Sequence, residues 1–319
     1  MTAWWLIKQK MTPEGEGHAK GYNPAMAQEF EFIEWIKSQQ KNAEFVRLGV
    51  GDDLAVLRFP ASDLIVVGVD QVLDGVHFDS TLHSPRAIGR KAMNRNLSDC
   101  AAMAALPAAA LASVALPRAV GIEYAKELYL GAAEAAAELD CAVVGGETGS
   151  WDGKLALTIT ILGRSGGIEP ISRGGAQPGD FIYVTGPLGG SILGRHMTFT
   201  PRVKLARQLA QTIHPSSMID LSDGLSRDLR HICTQSNVGA VLDAASIPIH
   251  LDVTRLPKDA LSPLEHALHD GEDYELLFTS RQPWPDQPPI GRITADRQVL
   301  LKLNGKVEPL HPRAWEHSL

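Results

Sequence analysis

Carboxylates recur in this sequence where apolar runs end and where helical runs begin. Asp52 and Asp53 stand in GVGDDLAVL, Asp70 closes LIVVGVD, and Asp74 and His77 follow in QVLDGVHF. Asp99 lies in NRNLSDCAAMAAL, and Glu147 follows two glycines in VVGGETGS. Asp220 and Asp223 share MIDLSDGL, and Glu272 and Asp273 share HDGEDYELLF. Each has an ordinary structural explanation: an acid near a helix start caps it, and Gly-Asp makes a turn. Asp99 is harder to explain that way. An acid on a helix of Ala, Met and Leu is costly to bury without a metal ion, a cation or a polar network beside it.

As a group these residues indicate more than they do singly. Several oxygen ligands with no His or Cys pattern suit a hard cation such as Mg²⁺. Mg²⁺ held by few carboxylates is the usual companion of substrate phosphates. Ser222-Asp223-Gly224 opens a helix carrying Leu225, Leu229 and Ile232, and its first N–H groups are expected to be free to receive a phosphate. No GxxxxGK[ST] occurs, and GVGDDL lacks the third glycine of the dinucleotide fingerprint. The residues therefore describe a Mg²⁺–phosphate enzyme without a P-loop.

The elements that must position these groups follow from periodicity and punctuation. Phe32, Ile33 and Ile36 recur at helical spacing and predict a helix from Glu29 to near Gln39. LAVLRF, LIVVGVD, SVALP and LALTITILG read as strands. Ser84-Pro85 reads as the cap and first residue of a helix carrying Ile88, Ala92, Ala101 and Met103, with Pro107 as its stop. Ile122 to Leu139 is a second, Ala-rich helix leading into VVGGETGS. RSGGIEPISRGGAQPG, dense in Gly and Pro, marks a boundary. Beyond it DFIYVTG, AVLDAASIPI, YELLFTS and QVLLKLNG supply strands, and HPSSMIDLSDGLSRDLRHIC passes from strand to helix. The expected fold is α/β, of the α+β type, in two domains. Residues 1–28 form an N-terminal extension, 29–165 the first domain and 166–319 the second.

Composition narrows the function. The 319 residues are 44% hydrophobic and 21% charged, ordinary for a globular protein, and the formal charge is −7. No basic surplus or Lys/Arg stripe suggests nucleic acid as a partner, but metal ions can supply positive charge to an acidic protein that binds anions. The three cysteines, Cys100, Cys141 and Cys233, sit among apolar residues without a CxxC pair. They read as buried thiols and fit a reducing cytoplasm. WWLI near the N-terminus is too short for a membrane span, and no other run approaches that length.

GVGDDLAVL, VDQVLDGVHF, NRNLSDCAAMAALP, VVGGETGS, SRGGAQPGDFIYVTGPLGG, MIDLSDGLSRDL and DGEDYELLF resemble, in this order, the motifs of the thiamine-monophosphate kinases. These belong to the aminoimidazole-ribonucleotide-synthetase-like ATP-binding superfamily. The resemblance runs from about Glu29 to the C-terminus, and DLSDGL together with GEDYEL is specific to the kinase branch.

The resemblance implies an N-terminal ATP- and Mg²⁺-binding domain whose sheet pairs with a second copy in a homodimer, and a cleft between domains as the active site. Thiamine monophosphate and ATP would be the substrates. By motif, Asp52, Asp70, Asp99, Glu147, Asp220 and Asp223 would be metal ligands. Tyr129, Gly146, Glu147, Arg173 and Ser222 would contact the nucleotide, and His77, Glu272 and Trp315 the acceptor. No general base is assigned, since the nucleophile is already an anionic phosphate oxygen.

Departures stand at Gly68-Val69, where family members commonly carry hydroxyl residues before the aspartate, and at Glu147, where the family has Asp. Two other readings stay open at this stage: a superfamily relative acting on another phosphate acceptor, and a non-catalytic nucleotide-binding dimer.

Overall fold

A computed structural model describes residues 24–39, 44–50, 54–257 and 261–312. Asp52, Asp53, Trp315 and residues 1–23 lie outside these segments.

The first half is a four-stranded sheet covered on one face by helices. Helix α1 (Pro24–Gln39) starts five residues before the Glu29 expected from periodicity, with Pro at its first position. Strands β1 (Val46–Leu48) and β2 (Val56–Leu57) form a small ribbon. Strand β3 (Ile65–Leu73), helix α2 (Pro85–Ala102), strand β4 (Leu106–Pro117), helix α3 (Ile122–Ala137), and strands β5 (Ala142–Trp151) and β6 (Ala156–Arg164) complete the unit. The sheet order is β3-β6-β4-β5. Ser84 caps α2 by accepting from the Ala87 N–H, with Pro85 at the first turn, as its sequence indicated.

Helix α2 ends at Ala102 rather than near Pro107. Ala104 adopts φ 53° and the Ala105 N–H bonds to the Cys100 carbonyl, closing the helix early. Pro107 is instead the second residue of a long strand, where a register shift between Pro107 and Ala109 accommodates its missing N–H.

Helix α2 is buried from both sides. In the first half it packs on α3, β3 and β6, with Ile88, Met93 and Leu97 fully enclosed. Its other face meets the second half, where Asn94 donates to the Phe199 carbonyl and Ser98 to Asp220. A helix with core on two sides has no wholly solvated face for charge, so every polar residue it carries needs a partner.

The second half is a seven-stranded sheet of order β13-β12-β9-β11-β7-β10-β8. Its elements are β7 (Phe181–Val184), α4 (Arg195–Thr198), α5 (Val203–Thr212), β8 (Ser217–Asp220), α6 (Leu225–Ser236), β9 (Gly239–Asp243), α7 (Pro263–His269), β10 (Leu276–Ser280), β11 (Gly291–Thr294), β12 (Val299–Leu303) and β13 (Lys306–Pro309). Although β8 is an edge strand, all four of its residues are buried, because α2 covers it. That covering delivers the end of β8, Asp220, to the middle of α2. Among the described residues no helix is long and apolar enough to cross a membrane.

Candidate functional site

Three of the expected metal ligands converge where α2 crosses from one sheet to the other. Asp70 comes from β3, Asp99 from α2 and Asp220 from the end of β8. Asp99 is half-buried, and no hydrogen-bond donor among the described residues reaches it. Burial, then the charges of Asp220 and Asp70, push its pKa up to about 8. Asp220 is 3% exposed and accepts a 2.6 Å bond from the Ser98 hydroxyl. Burial still holds its carboxyl above the usual range. Two acids made reluctant to ionise by burial and by neighbouring carboxylates form a site that a cation would stabilise.

Beside this cluster lies a second group. Lys91, on α2, is wholly buried. Its ammonium donates to the His77 carbonyl and meets both Glu272 oxygens, at 2.9 and 3.0 Å. Such a lysine is tolerable only when paired, and burial lowers its basicity even so. His77 Nδ1 accepts the Leu73 N–H at 3.1 Å, which puts the ring proton on Nε2. Burial and the Arg95 charge lower the ring to about 4, so His77 is a neutral donor at physiological pH.

Glu272 is held in the left-handed region at φ 52°, as is Tyr274 at φ 53°. The Glu272 N–H bonds to the Ser222 carbonyl at 2.8 Å and the Tyr274 N–H to the Leu221 carbonyl at 2.9 Å. The two most specific motifs, DLSDGL and GEDYEL, are thus bonded to each other. Gly271 is required at this junction: its φ is +75°, and a side chain there would meet the Ser222 carbonyl at 2.8 Å. Asp273 turns the other way, pairing with Arg195 at 2.6 Å and accepting from Gly189. Its role is to fold the loop.

The start of α6 departs from expectation. The Asp223 and Gly224 N–H groups are both taken by Asp228 Oδ2, each at 3.1 Å, so these donors are not free for a phosphate. Asp228 is a self-cap from the helix's own first turn. The Asp223 carboxylate faces Arg227 at 3.4 Å and groups with Asp228 and His231, and Asp228 in turn feels the charge of Asp220. Arg173 is exposed but close enough for its charge to act on Asp99, Asp220 and His231.

Part of the expected nucleotide set gathers elsewhere, while Arg173 and Ser222 stand by the groups just described. Tyr129 and Gly146 line a largely apolar cavity of about 150 Å³ with Phe32, Ile36 and Leu128. Gly146 is fixed by packing, since a Cβ there would lie 1.9 Å from the Ala112 carbonyl of the neighbouring strand. Register places Asp70, Ile159, Ala112 and Gly146 in one row across the sheet, on the helix-covered face. Three strand spacings put the two ends of that row roughly 14 Å apart. Glu147 pairs in the next row with Ser113, Thr158 and Gln71, on the opposite face. Within one chain, therefore, Glu147 does not join Asp70, Asp99 and Asp220.

Residues 51–165 match the family model described as AIR synthase related protein, N-terminal domain. The thiamine-monophosphate kinase of Rhodopirellula baltica is 43% identical over 258 residues, 78% of this chain and 81% of that protein. The chain belongs to the thiamine-monophosphate kinase family. The crystal structure of the family member from Stenotrophomonas maltophilia K279a superposes with a TM-score of 0.75 at 32% identity, covering 87% of this chain and 97% of that one. AaThiL complexed with AMPPCP and TMP superposes at 0.72 with 28% identity, covering 94% and 100%.

As a thiamine-monophosphate kinase family member, the chain is an enzyme, and its family motifs fall into two groups. One surrounds α2 and one lines the cavity beside β5. Lys91, Arg95, Ser98 and Tyr274 were not singled out by their sequence, yet all touch the first group. A signal was present: Lys91, Arg95 and Asp99 stand four residues apart on one helical stripe, where charge has no place unless it is used.

Proposed function

We propose that this enzyme transfers the γ-phosphoryl group of ATP directly to thiamine monophosphate, in line, giving thiamine diphosphate and ADP. The observation that carries the reading is the meeting of Asp70, Asp99 and Asp220 beside His77 and Glu272, in a chain 43% identical to a named kinase of this reaction. The nucleotide and acceptor follow from the relative bound to AMPPCP, an ATP analogue, and TMP.

The donor set fits Mg²⁺: it is all oxygen, and Asp99 is an acid that no donor among the described residues reaches and whose proton a dication would replace. When bound, Mg²⁺ would screen the phosphate charges that oppose transfer. The chain's own residues do the rest. Asp70, Asp99 and Asp220 would hold the metal. His77 presents an uncharged ring on the acceptor side, and Lys91 fixes Glu272 as an acceptor contact. Because the attacking phosphate oxygen is already anionic, no residue is needed to remove a proton.

A homodimer formed through the open sheet face accounts for the two separated groups. Val67 and Val69 on that face are 68% and 64% exposed, and Leu111 continues the apolar strip. Glu147 shares the face, so pairing brings it against the second copy. One copy's nucleotide-side residues would then complete the other's carboxylate cluster. The deciding experiment is a coupled ADP-release assay with thiamine monophosphate and Mg²⁺. A folded protein that binds ATP without turnover would overturn the reading.

A further inference from the structure

Arg95 sits at the one point that touches both sides of the reaction. Its Nε donates to Asp70 Oδ2 at 2.6 Å, and Nη1 stands 3.5 Å from Glu272 Oε1. The side chain is only 14% exposed. Its terminal nitrogens make no hydrogen bond to any described residue, although a guanidinium carries five N–H donors in a planar fork. The two carboxylates therefore aim the group without using it up. Lys91, the other cation of this stripe, is saturated by Glu272 and the His77 carbonyl.

The surroundings say what the fork is for. Asp70 belongs to the metal-binding set and Glu272 to the acceptor side. The Arg95 charge also acts on His77, Asp99 and Asp220. A guanidinium between a metal ligand and an acceptor contact stands where an acceptor's anionic group must pass to meet the γ-phosphate. We propose that Arg95 binds the phosphate of the acceptor through its terminal nitrogens, and so makes the enzyme select a phosphorylated acceptor over its dephosphorylated form. This rests on the kinase reading above and adds to it the residue that recognises the phosphate.

Calorimetric binding tests it, with the full-length protein and Mg²⁺ present and three titrations compared: thiamine monophosphate and thiamine, each with AMPPCP already bound, and AMPPCP by itself. Arg95→Met should weaken thiamine monophosphate roughly ten- to a hundredfold, the loss of a charged hydrogen bond, and leave thiamine and AMPPCP within about twofold. Arg95→Lys keeps the charge but not the fork and should show a smaller loss with the same selectivity; it carries the comparison should the methionine variant fail to fold. Equal losses for thiamine and thiamine monophosphate would reduce Arg95 to a latch between the two halves and overturn the proposal. So would a loss confined to AMPPCP. If the wild type prefers the phosphorylated acceptor and the variants keep that preference, this proposal alone fails. If the wild type binds the two acceptors equally, the kinase reading fails with it.

Discussion

Ser98 Oγ donates to Asp220 Oδ2 at 2.6 Å, and this bond joins the two halves of the molecule inside the carboxylate cluster. Ser98 is the residue before Asp99 on α2, and Asp220 ends β8 on the other sheet. The bond holds one oxygen of Asp220 in place, while Asp99 beside it finds no donor among the described residues. The cluster is thus held by its frame and strained only in charge, which is the arrangement a cation completes.

Asp99→Asn should lower turnover at least about a hundredfold, as removal of a transition-state charge partner does, while the protein stays folded. The metal-free protein carries a second signature. Asp99 has a folded value of about 8 against an ordinary 3.8. Between those values the folded state keeps a proton that the unfolded chain has released, so stability falls as pH rises through the window. Asparagine should flatten that fall in urea titrations run with EDTA. Parallel wild-type and variant pH–stability curves would show that Asp99 carries no such charge strain.

Lys91→Met removes the only cation among the described residues that touches both Glu272 oxygens. Glu272 keeps 25% side-chain exposure, so water recovers part of the loss, and the expected destabilisation is about 1–3 kcal/mol. Adding Glu272→Gln should recover part of it, because the second change removes the orphaned charge. Urea unfolding of the two singles and the double reads the coupling, and strict additivity would disprove the pairing.

Much of the site was legible in the residues because burial of charge is costly. Asp99 stood out as an acid in an apolar helix, and DLSDGL and GEDYEL proved to be hydrogen-bonded neighbours. Strands β3 and β6 were readable from their β-branched runs, and α2 from Ser84-Pro85. Helix α5 was not anticipated, although Val203, Ala206 and Leu209 make a short apolar stripe. Two of the N–H groups expected to be free at Ser222-Asp223-Gly224, those of Asp223 and Gly224, are filled by Asp228, a local competition that spacing alone does not resolve. The separation of Glu147 from Asp70 depends on strand order, which no local pattern encodes.

Gly146 and Gly149 lie three residues apart in VVGGETGS and should respond very differently to alanine. A Cβ at Gly146 meets the Ala112 carbonyl at 1.9 Å, whereas at Gly149 nothing lies within 4 Å. Gly146→Ala must push β5 from β4 and should cost about 1–3 kcal/mol; Gly149→Ala should change stability by less than about 0.5 kcal/mol. Thermal unfolding decides. Equal effects would mean that Gly146 is there for the nucleotide alone.

The open face of the first sheet yields the last expectation. Val67 at 68% exposure and Val69 at 64% would be unusual on a free surface, and Glu147 shares their face, away from Asp70. Val67→Asp places a charge in the proposed contact and should give a folded monomer by light scattering, with little turnover. Mixing goes further. Asp99→Asn and Glu147→Ala are each expected to be inactive alone. If every site takes Asp99 from one copy and Glu147 from the other, a mixed dimer contains one site with both changes and one with neither. Refolding the two variants together should therefore restore activity, up to about a quarter of the wild-type level for random pairing of equal amounts. A mixture as inactive as its parents, in a preparation shown to contain mixed dimers, would mean that each site is built within one chain.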